Sequence, residues 1–363
     1  MRKKILLAMS GGVDSSVAAL ILKRKGFEVI GVFLKMWSNE DELNNCNWIE
    51  DRKTAFKIAA KIEIPLLTYD FESLYKEEVI KEMFENYRKG ITPNPDIDCN
   101  KKIKFPLLLK LSKKLKCDYI STGHYIRIKK DKQKKLIHVY RALDEKKDQS
   151  YFLYKLDQKT LTKCLFPIGD LKKEEVRKIA KKQGFENYNK KGTVGICFIG
   201  KINFKKFLET KIKNKRGEIK DPEGKTIGYH DGVFYYTIGQ RLGGRLGDVF
   251  IKKEKGIMKR WYVARKDIEK NEIIAAPDGH PLLFKKFIKL KEVHWISEKP
   301  NLNDNFHVRI RQQGELLNAK IVKNKEDFII ELEEPAFGVS PGQSAVIYEK
   351  KTKKVFGGGI ILS

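Results

Sequence analysis

Two stretches of this sequence hold residue types that could do chemistry together. The first is 8-AMSGGVDSS-16. Its glycines, Gly11 and Gly12, let a backbone turn tightly and approach a ligand with no Cβ in the way. Ser10, Ser15 and Ser16 add hydroxyl donors. A helix starting just after the turn would add oriented N–H groups and a positive dipole end. Residues Ala8, Met9, Ser10, Gly11, Gly12, Val13, Asp14 and Ser15 thus suit a pyrophosphate. No Gly-Lys-Ser/Thr follows, so the loop is not of the Walker type. The bland alternative is a glycine turn capped by Ser10 or Asp14. The second feature is a pair of thiols in loop-like surroundings, Cys99 in 92-TPNPDIDCNKKIKF-105 and Cys197 in 192-GTVGICFIGK-201. Pro93 and Pro95 keep the residues before them extended. Asp96 and Cys99 then stand three apart near a helix start, with lysines at 101, 102, 104 and 110. The dipole and the lysines both favour thiolate. Glycines 192, 195 and 200 make the Cys197 segment a loop able to reorder around a substrate.

These residues need a scaffold, and the apolar pattern supplies one. KILLAM (4–9), EVIGVFL (28–34), LLTY (66–69) and DYIS (118–121) read as buried strands. Helical spacing lies between them, so a parallel sheet with right-handed crossovers is predicted. Helices are predicted near 73–88 and near 101–116, with Pro106 in the first turns of the latter. In such a sheet the loop after strand one opens at the carboxyl ends of the strands, where ligands bind. Leu34, ending the second strand, would lie over an adenine. Gly123 in 121-STGHY-125 would let a ribose or phosphate come close. After about residue 205 the pattern turns basic and turn-rich. Beyond 280 it becomes short alternating runs: HVRIRQ (307–312), AKIVK (319–323), DFIIEL (327–332), SAVIYE (344–349) and GGGIIL (357–362). Such runs predict a small antiparallel barrel. The expected fold class is therefore α/β: an open parallel-sheet domain over 1–205, a small central domain over 206–277 and a C-terminal antiparallel β-barrel over 278–363.

Composition narrows the partners. The chain has 363 residues, with 75 Lys+Arg against 47 Asp+Glu, a formal net charge of +28. That field draws polyanions, nucleic acid above all. Part of it is solvated lysine, as in 129-KKDKQKK-135. No apolar run approaches the ~18–20 residues of a membrane span. The first apolar run stops at a glycine turn after about six residues, short of the ~7–15 of a signal peptide. A cytoplasmic protein with no membrane partner is expected. Five cysteines, with no C-x-x-C and no metal spacing, argue against a disulfide framework or a zinc site. Cys117 and Cys164 are expected to be structural, and Cys46 stays open between a structural and a reactive thiol.

The S-G-G-x-D-S loop resembles the PP-loop of ATP pyrophosphatases, which split ATP between its α and β phosphates. That resemblance makes ATP a substrate and gives Asp14 a share in holding Mg²⁺; no tightly bound organic cofactor is implied. The ordered set AMSGGVDSS, TPNPDIDCNKKIKF, STGHY, KDQSYFLY (147–154), GICFIG (196–201), FYYTIGQR (234–241) and SPGQSAVIY (340–348) resembles the tRNA-specific 2-thiouridylases across nearly the whole chain. The resemblance implies a PP-loop adenylation domain, a small central domain and a C-terminal barrel. It implies a tRNA-modifying sulfurtransferase that adenylates the C2 oxygen of the wobble uridine and then replaces it with sulfur. Cys197 would carry the persulfide, Cys99 would be the partner nucleophile, and a Cys99–Cys197 disulfide would remain after turnover. Either Cys99 frees sulfide to attack, or the Cys197 sulfur attacks directly. Asp96 would serve as acid/base or bind the uracil edge, and Asn94, Pro95 and Asp96 would contact the target base. His124, Lys147, Asp148, Gln149, Arg309, Ile310 and Gln343 match tRNA-contacting positions. Expected partners are tRNAs for Lys, Glu and Gln and a persulfide donor, a cysteine desulfurase or a relay protein. The basic segment 242–263 departs from the family's short glycine-rich turn. Competing readings are another PP-loop enzyme acting on tRNA, such as a lysidine synthetase, and a catalytically silent RNA-binding protein switched by ATP.

Overall fold

The computed structural model describes residues 2–38, 48–192, 203–243, 250–251, 260–324 and 327–362. Four apolar runs form the strands predicted for them: β1 (Lys4–Ala8), β2 (Glu28–Lys35), β3 (Leu66–Asp70) and β4 (Tyr119–Ser121). All pair in parallel, in the order β3-β2-β1-β4, and β7 (Cys164–Leu165) adds an edge beyond β4. The chain winds outward from β1 in both directions. The crevice beside the end of β1 is thus the topological switch point, where open α/β sheets bind ligands. Helices α1 (Val13–Arg24) and α2 (Trp48–Lys61) cover one face, with Val17, Leu20, Ile58 and Ile62 buried there among Ile5 and Leu7.

Two helical predictions change in detail. The first helix, over 72–88, includes a π-helical stretch at Lys76–Lys81. The other does not begin near 101. It starts at Pro95, passes through a π-helical stretch at Cys99–Lys104 and continues as Phe105–Lys114. Pro106 therefore lies inside a helical run rather than in its first turns. Lacking an N–H, it cannot donate to the preceding turn, and the wider turn just ahead of it absorbs that break.

The hairpin β5 (Ile126–Asp131) and β6 (Leu136–Arg141) follows β4 but leaves the parallel sheet. The small central sheet has the order β10-β9-β8-β12-β11, from β8 (Gly217–Lys220), β9 (Thr226–His230), β10 (Phe250–Ile251), β11 (Trp261–Asp267) and β12 (Glu272–Pro277). The last six strands are β13 (Phe284–Trp295), β14 (Phe306–Arg309), β15 (Leu317–Asn324), β16 (Asp327–Phe337), β17 (Ser344–Glu349) and β18 (Lys354–Ile361). They run β13-β16-β15-β14-β17-β18, and β18 returns to β13, so the antiparallel barrel is closed. Strand β6 pairs with β18, Val139 opposite Val355, so the hairpin extends the barrel sheet. One apolar core runs through all three regions, joining Ile120 and Tyr151 to Ile219 and Val263 and to Val346 and Tyr348.

At the carboxyl ends of β2 and β3, burial alone would push the Glu72 carboxyl up. Hydrogen bonds from Ser38 (2.5 Å), Lys76 (2.9 Å) and Lys35 (3.2 Å) overcome it and hold the group at about 2. A folded-state value below the unfolded one stabilises above the unfolded value, and the gain is lost as pH falls through about 2. Glu72→Gln is expected to cost about 2–3 kcal/mol at neutral pH. Urea melts at pH 7 and pH 3 check it: the gap to wild type should shrink in acid.

Candidate active site

The loop after β1 has the shape its sequence predicts. Met9 N–H extends the ladder to the Val32 carbonyl at 2.8 Å, and the chain then leaves the sheet. Gly11 has φ +73°, and a Cβ there would stand 2.2 Å from the Asp51 carbonyl oxygen in the first turn of α2. Only glycine fits on both counts. Gly12 is the N-cap of α1, and no side chain caps that helix, so its first N–H groups remain open to an anion. The hydroxyls of Ser15 and Ser16 donate instead to the Gly12 carbonyl, at 3.0 and 2.9 Å. The Asn187 amide donates to the Gly11 carbonyl (2.9 Å) and to the Ser16 hydroxyl (3.0 Å). The loop carbonyls are thus drawn toward the protein. Gly123 lies against the same helix start: a Cβ there would meet Ser15 N at 2.7 Å. Leu34 is buried in β2, with Tyr69 of β3 as its register partner.

Asp14 is held by two partners from distant parts of the chain. Both its oxygens accept from Lys173 Nζ, at 2.6 and 2.7 Å, and Oδ1 also accepts from the buried Tyr125 hydroxyl at 2.7 Å. Burial and the Asp14 charge push the Tyr125 hydroxyl up, so it stays a neutral donor. Among the described residues no group of three or more His, Cys, Asp or Glu could hold a metal ion. Asp14 is the one carboxylate that the 8–16 loop carries, which suits a Mg²⁺ held mainly by phosphates and water.

The thiol segment is clamped from two sides. Asn94 caps the helix that starts at Pro95, its side chain accepting from Ile97 N at 3.4 Å. The Gln343 amide donates to the carbonyls of Thr92 (3.0 Å) and Pro93 (3.1 Å), and Thr92 N–H donates to the Pro341 carbonyl at 3.2 Å. Gly342, at φ +89°, lets that turn of the barrel close on Ile91 and Thr92. Thr92 and Thr237 share a hydroxyl contact of 3.1 Å, which brings in the FYYTIGQR segment. Asn94, Pro95 and Asp96 are half-buried, and Cys99 is 0 % exposed among apolar neighbours. Burial pushes the neighbouring Asp98 carboxyl up, against the pull of Lys155 and Lys102. Burial also raises the thiols of Cys117 and Cys164, which fits their structural reading. Cys197 and Cys46 lie outside the described residues, as does most of 242–263.

The residues expected to meet tRNA divide into two groups. Lys147 is exposed. Gln149 faces inward with its carbonyl oxygen on Tyr125 N–H at 2.9 Å. His124 is half-buried, its Nδ1 sharing a 2.7 Å contact with the Thr122 hydroxyl and its ring stacked on Phe105. Burial, helped by Lys104, holds it well below the usual histidine range and therefore neutral. Asp148, Arg309 and Ile310 are buried, at 1 %, 6 % and 6 % exposure. Asp148 accepts from Arg141 Nε (3.3 Å), Arg309 Nη1 (3.1 Å) and the Ser150 hydroxyl (3.0 Å), which ties the 147–154 segment to the barrel. Lys173, Tyr125 and Asn187 are site residues that the sequence reading did not single out.

Residues 3–201 match the family described as tRNA methyl transferase HUP domain. Residues 205–277 match the tRNA methyl transferase PRC-barrel domain, and 285–361 the aminomethyltransferase beta-barrel domain. The chain is 42% identical over 366 residues to the tRNA-specific 2-thiouridylase MnmA of Blochmanniella floridana, covering 99% of this chain and 96% of that protein. It is 41% identical over 351 residues to the same-named protein of Levilactobacillus brevis, covering 95% and 92%. It is 40% identical over 364 residues to that of Vibrio cholerae, covering 99% and 96%.

Proposed function

The chain belongs to the tRNA-specific 2-thiouridylase family, and from that premise we propose that it replaces the C2 oxygen of a tRNA wobble uridine with sulfur, driven by ATP. The observation that carries this reading is the near full-length identity of about two residues in five to proteins of that name. The phosphate loop at the switch point of the sheet supports it with the geometry an ATP-splitting site needs.

A uracil carbonyl oxygen is a poor leaving group. Its attack on the α-phosphorus of ATP forms an O2–P bond and breaks the bond to pyrophosphate, which leaves with the electron pair. The ring N3 proton passes to a base, and Asp96 is the group assigned that role. Sulfur then attacks C2, and AMP leaves in place of oxide. In one order, the outer sulfur of a Cys197 persulfide attacks C2 and Cys99 then attacks the inner sulfur, freeing the thiolated base. In the other, Cys99 attacks the persulfide first and the released sulfide attacks C2. Both orders end in a Cys99–Cys197 disulfide, which a thiol reductant must supply two electrons to reopen. The resting burial of Cys99 shields its sulfur from stray oxidants.

The loop around Ala8, Met9, Ser10, Gly11, Gly12, Val13, Asp14 and Ser15, with Leu34 and Gly123, binds the nucleotide. Mg²⁺ arrives on the nucleotide's own phosphates, in keeping with its preference for phosphate and water ligands. Asn94, Pro95 and Asp96 receive a base swung out of its stack. His124, Lys147, Gln149 and Gln343 border the bound tRNA. Asp148, Arg309 and Ile310 shape that border from beneath, because their side chains are buried. The working units are 1–205, 206–277 and 278–363. The enzyme acts in the cytoplasm on tRNAs for Lys, Glu and Gln, with a cysteine desulfurase or a relay protein as donor. Mass analysis of wobble nucleosides after incubation with ATP, tRNA and a persulfide source tests this. Sulfur-for-oxygen exchange at uridine is expected. Unmodified uridine, or a lysine adduct on cytidine, would overturn it.

A further inference from the structure

We propose that Lys173 is the cation that takes the pyrophosphate half of ATP, exchanging the Asp14 carboxylate for a phosphate oxygen when the nucleotide binds. This rests on the reading of 8–16 as the nucleotide loop and adds a residue to it. The loop contains no lysine or arginine of its own. Departing pyrophosphate carries the electron pair of the broken bond, and a cation at that point stabilises charge as it develops.

Lys173 stands where such a cation is needed. Asp14 is the second residue of α1, so its backbone N–H is among the first donors of that helix. The ammonium paired with its carboxylate is therefore within a side chain's length of any anion those donors hold. The Lys173 side chain is 14 % exposed, and Nζ lies 5.8 Å from the Tyr125 ring centroid. Its backbone is pinned. Lys173 N–H donates to Asp144 Oδ2 at 2.9 Å, and the helix it opens is boxed by Glu175, whose Oε2 accepts from Lys172 N–H at 2.6 Å. The stem thus leaves a fixed point, and only side-chain torsions need to turn. Electrostatics drive the exchange: a polyphosphate in the loop repels the Asp14 carboxylate and attracts the ammonium. Tyr125 keeps its hydroxyl on Asp14, so the displaced carboxylate retains a donor.

The bland role for the same pair is a clamp between α1 and the Lys173–Lys182 helix. Titration calorimetry on the full chain separates the two, using ATP, pyrophosphate and AMP as probes. Lys173→Ala, and Lys173→Met to keep the apolar stem, are expected to weaken ATP and pyrophosphate binding about tenfold or more. AMP, which lacks the β and γ phosphates, should bind within about twofold of wild type, and Lys173→Arg should restore most of the ATP affinity. Equal weakening of ATP and AMP, or no weakening of either, overturns the proposal while leaving the thiolation reading intact. Wild-type protein that binds no ATP would overturn the nucleotide loop and Lys173 together.

Discussion

A Cys99→Ser protein given ATP, tRNA and a persulfide source is expected to form 2-thiouridine at least about 10³-fold more slowly than wild type. It should still release AMP and pyrophosphate in a tRNA-dependent way. The two halves of the result have separate physical causes. Adenylation uses the loop between β1 and α1, whose positioning depends on Gly11, Gly123, Asn187 and Asp14. Sulfur release needs a thiolate that can attack another sulfur, and a serine hydroxyl cannot do so at neutral pH. Serine is close to cysteine in volume, so packing around this fully buried position changes little. A changed hydrogen bond at a buried position costs about 1–3 kcal/mol, less than the ~5–15 kcal/mol that separates folded from unfolded domains. A lysidine-synthetase-like enzyme needs no thiol, so undiminished product formation would remove the sulfur-transfer reading. Loss of adenylation together with thiolation would instead break the order of steps. Cys164→Ala is the matched control: that thiol is also buried, and activity should persist.

What could be read in advance was what the chain encodes locally. The left-handed backbone at Gly11 and the open N-terminus of α1 lie within a few residues of each other, in a run whose types allow little else. The barrel strands from β14 to β18 announced themselves by alternation, whereas β13 did not. Of its twelve residues only Ile288 and Leu290 are buried, and lysines interrupt the rest. The β5–β6 hairpin was hidden for a different reason: its partner strand β18 lies more than two hundred residues away. The same holds for the site. Tyr125, Lys173 and Asn187 reach the loop across 111, 159 and 176 residues of sequence, and one lysine among 75 basic residues carries no local sign of its partner. The Pro95 helix start carries no distinguishing sign because Pro106 fits a first-turn position equally well, and a π-helical turn has no marker in composition.

The largest stability effect is expected at Asp148. Its side chain is 0 % exposed and stands between the guanidinium groups of Arg141 and Arg309. It also accepts from the backbone N–H groups of Ala142 (3.1 Å) and Ser150 (3.3 Å). Asp148→Ala leaves two buried cations with their shared counter-charge removed, and breaking a buried pair in this way costs about 3–5 kcal/mol. Arg309 is already poorly served: its Nε is buried without a hydrogen-bond partner, although its guanidinium lies 5.8 Å from the Tyr348 ring centroid. Because Arg309 belongs to β14, the loss should loosen the barrel from the parallel-sheet domain, and limited proteolysis between them should accelerate. It should also reach the nucleotide loop. Gln149 follows Asp148 and holds Tyr125 through both its backbone N–H (3.0 Å) and its side chain (2.9 Å), and Tyr125 in turn holds Asp14. Tyr125 would lose its alignment before the fold is lost, so adenylation should fall at temperatures where the protein remains folded. Adding Arg309→Met to Asp148→Ala should recover part of the stability, since one stranded charge is removed with its partner. A direct tRNA contact predicts the opposite pattern: unchanged urea melts, intact adenylation kinetics at saturating tRNA, and a loss confined to tRNA affinity.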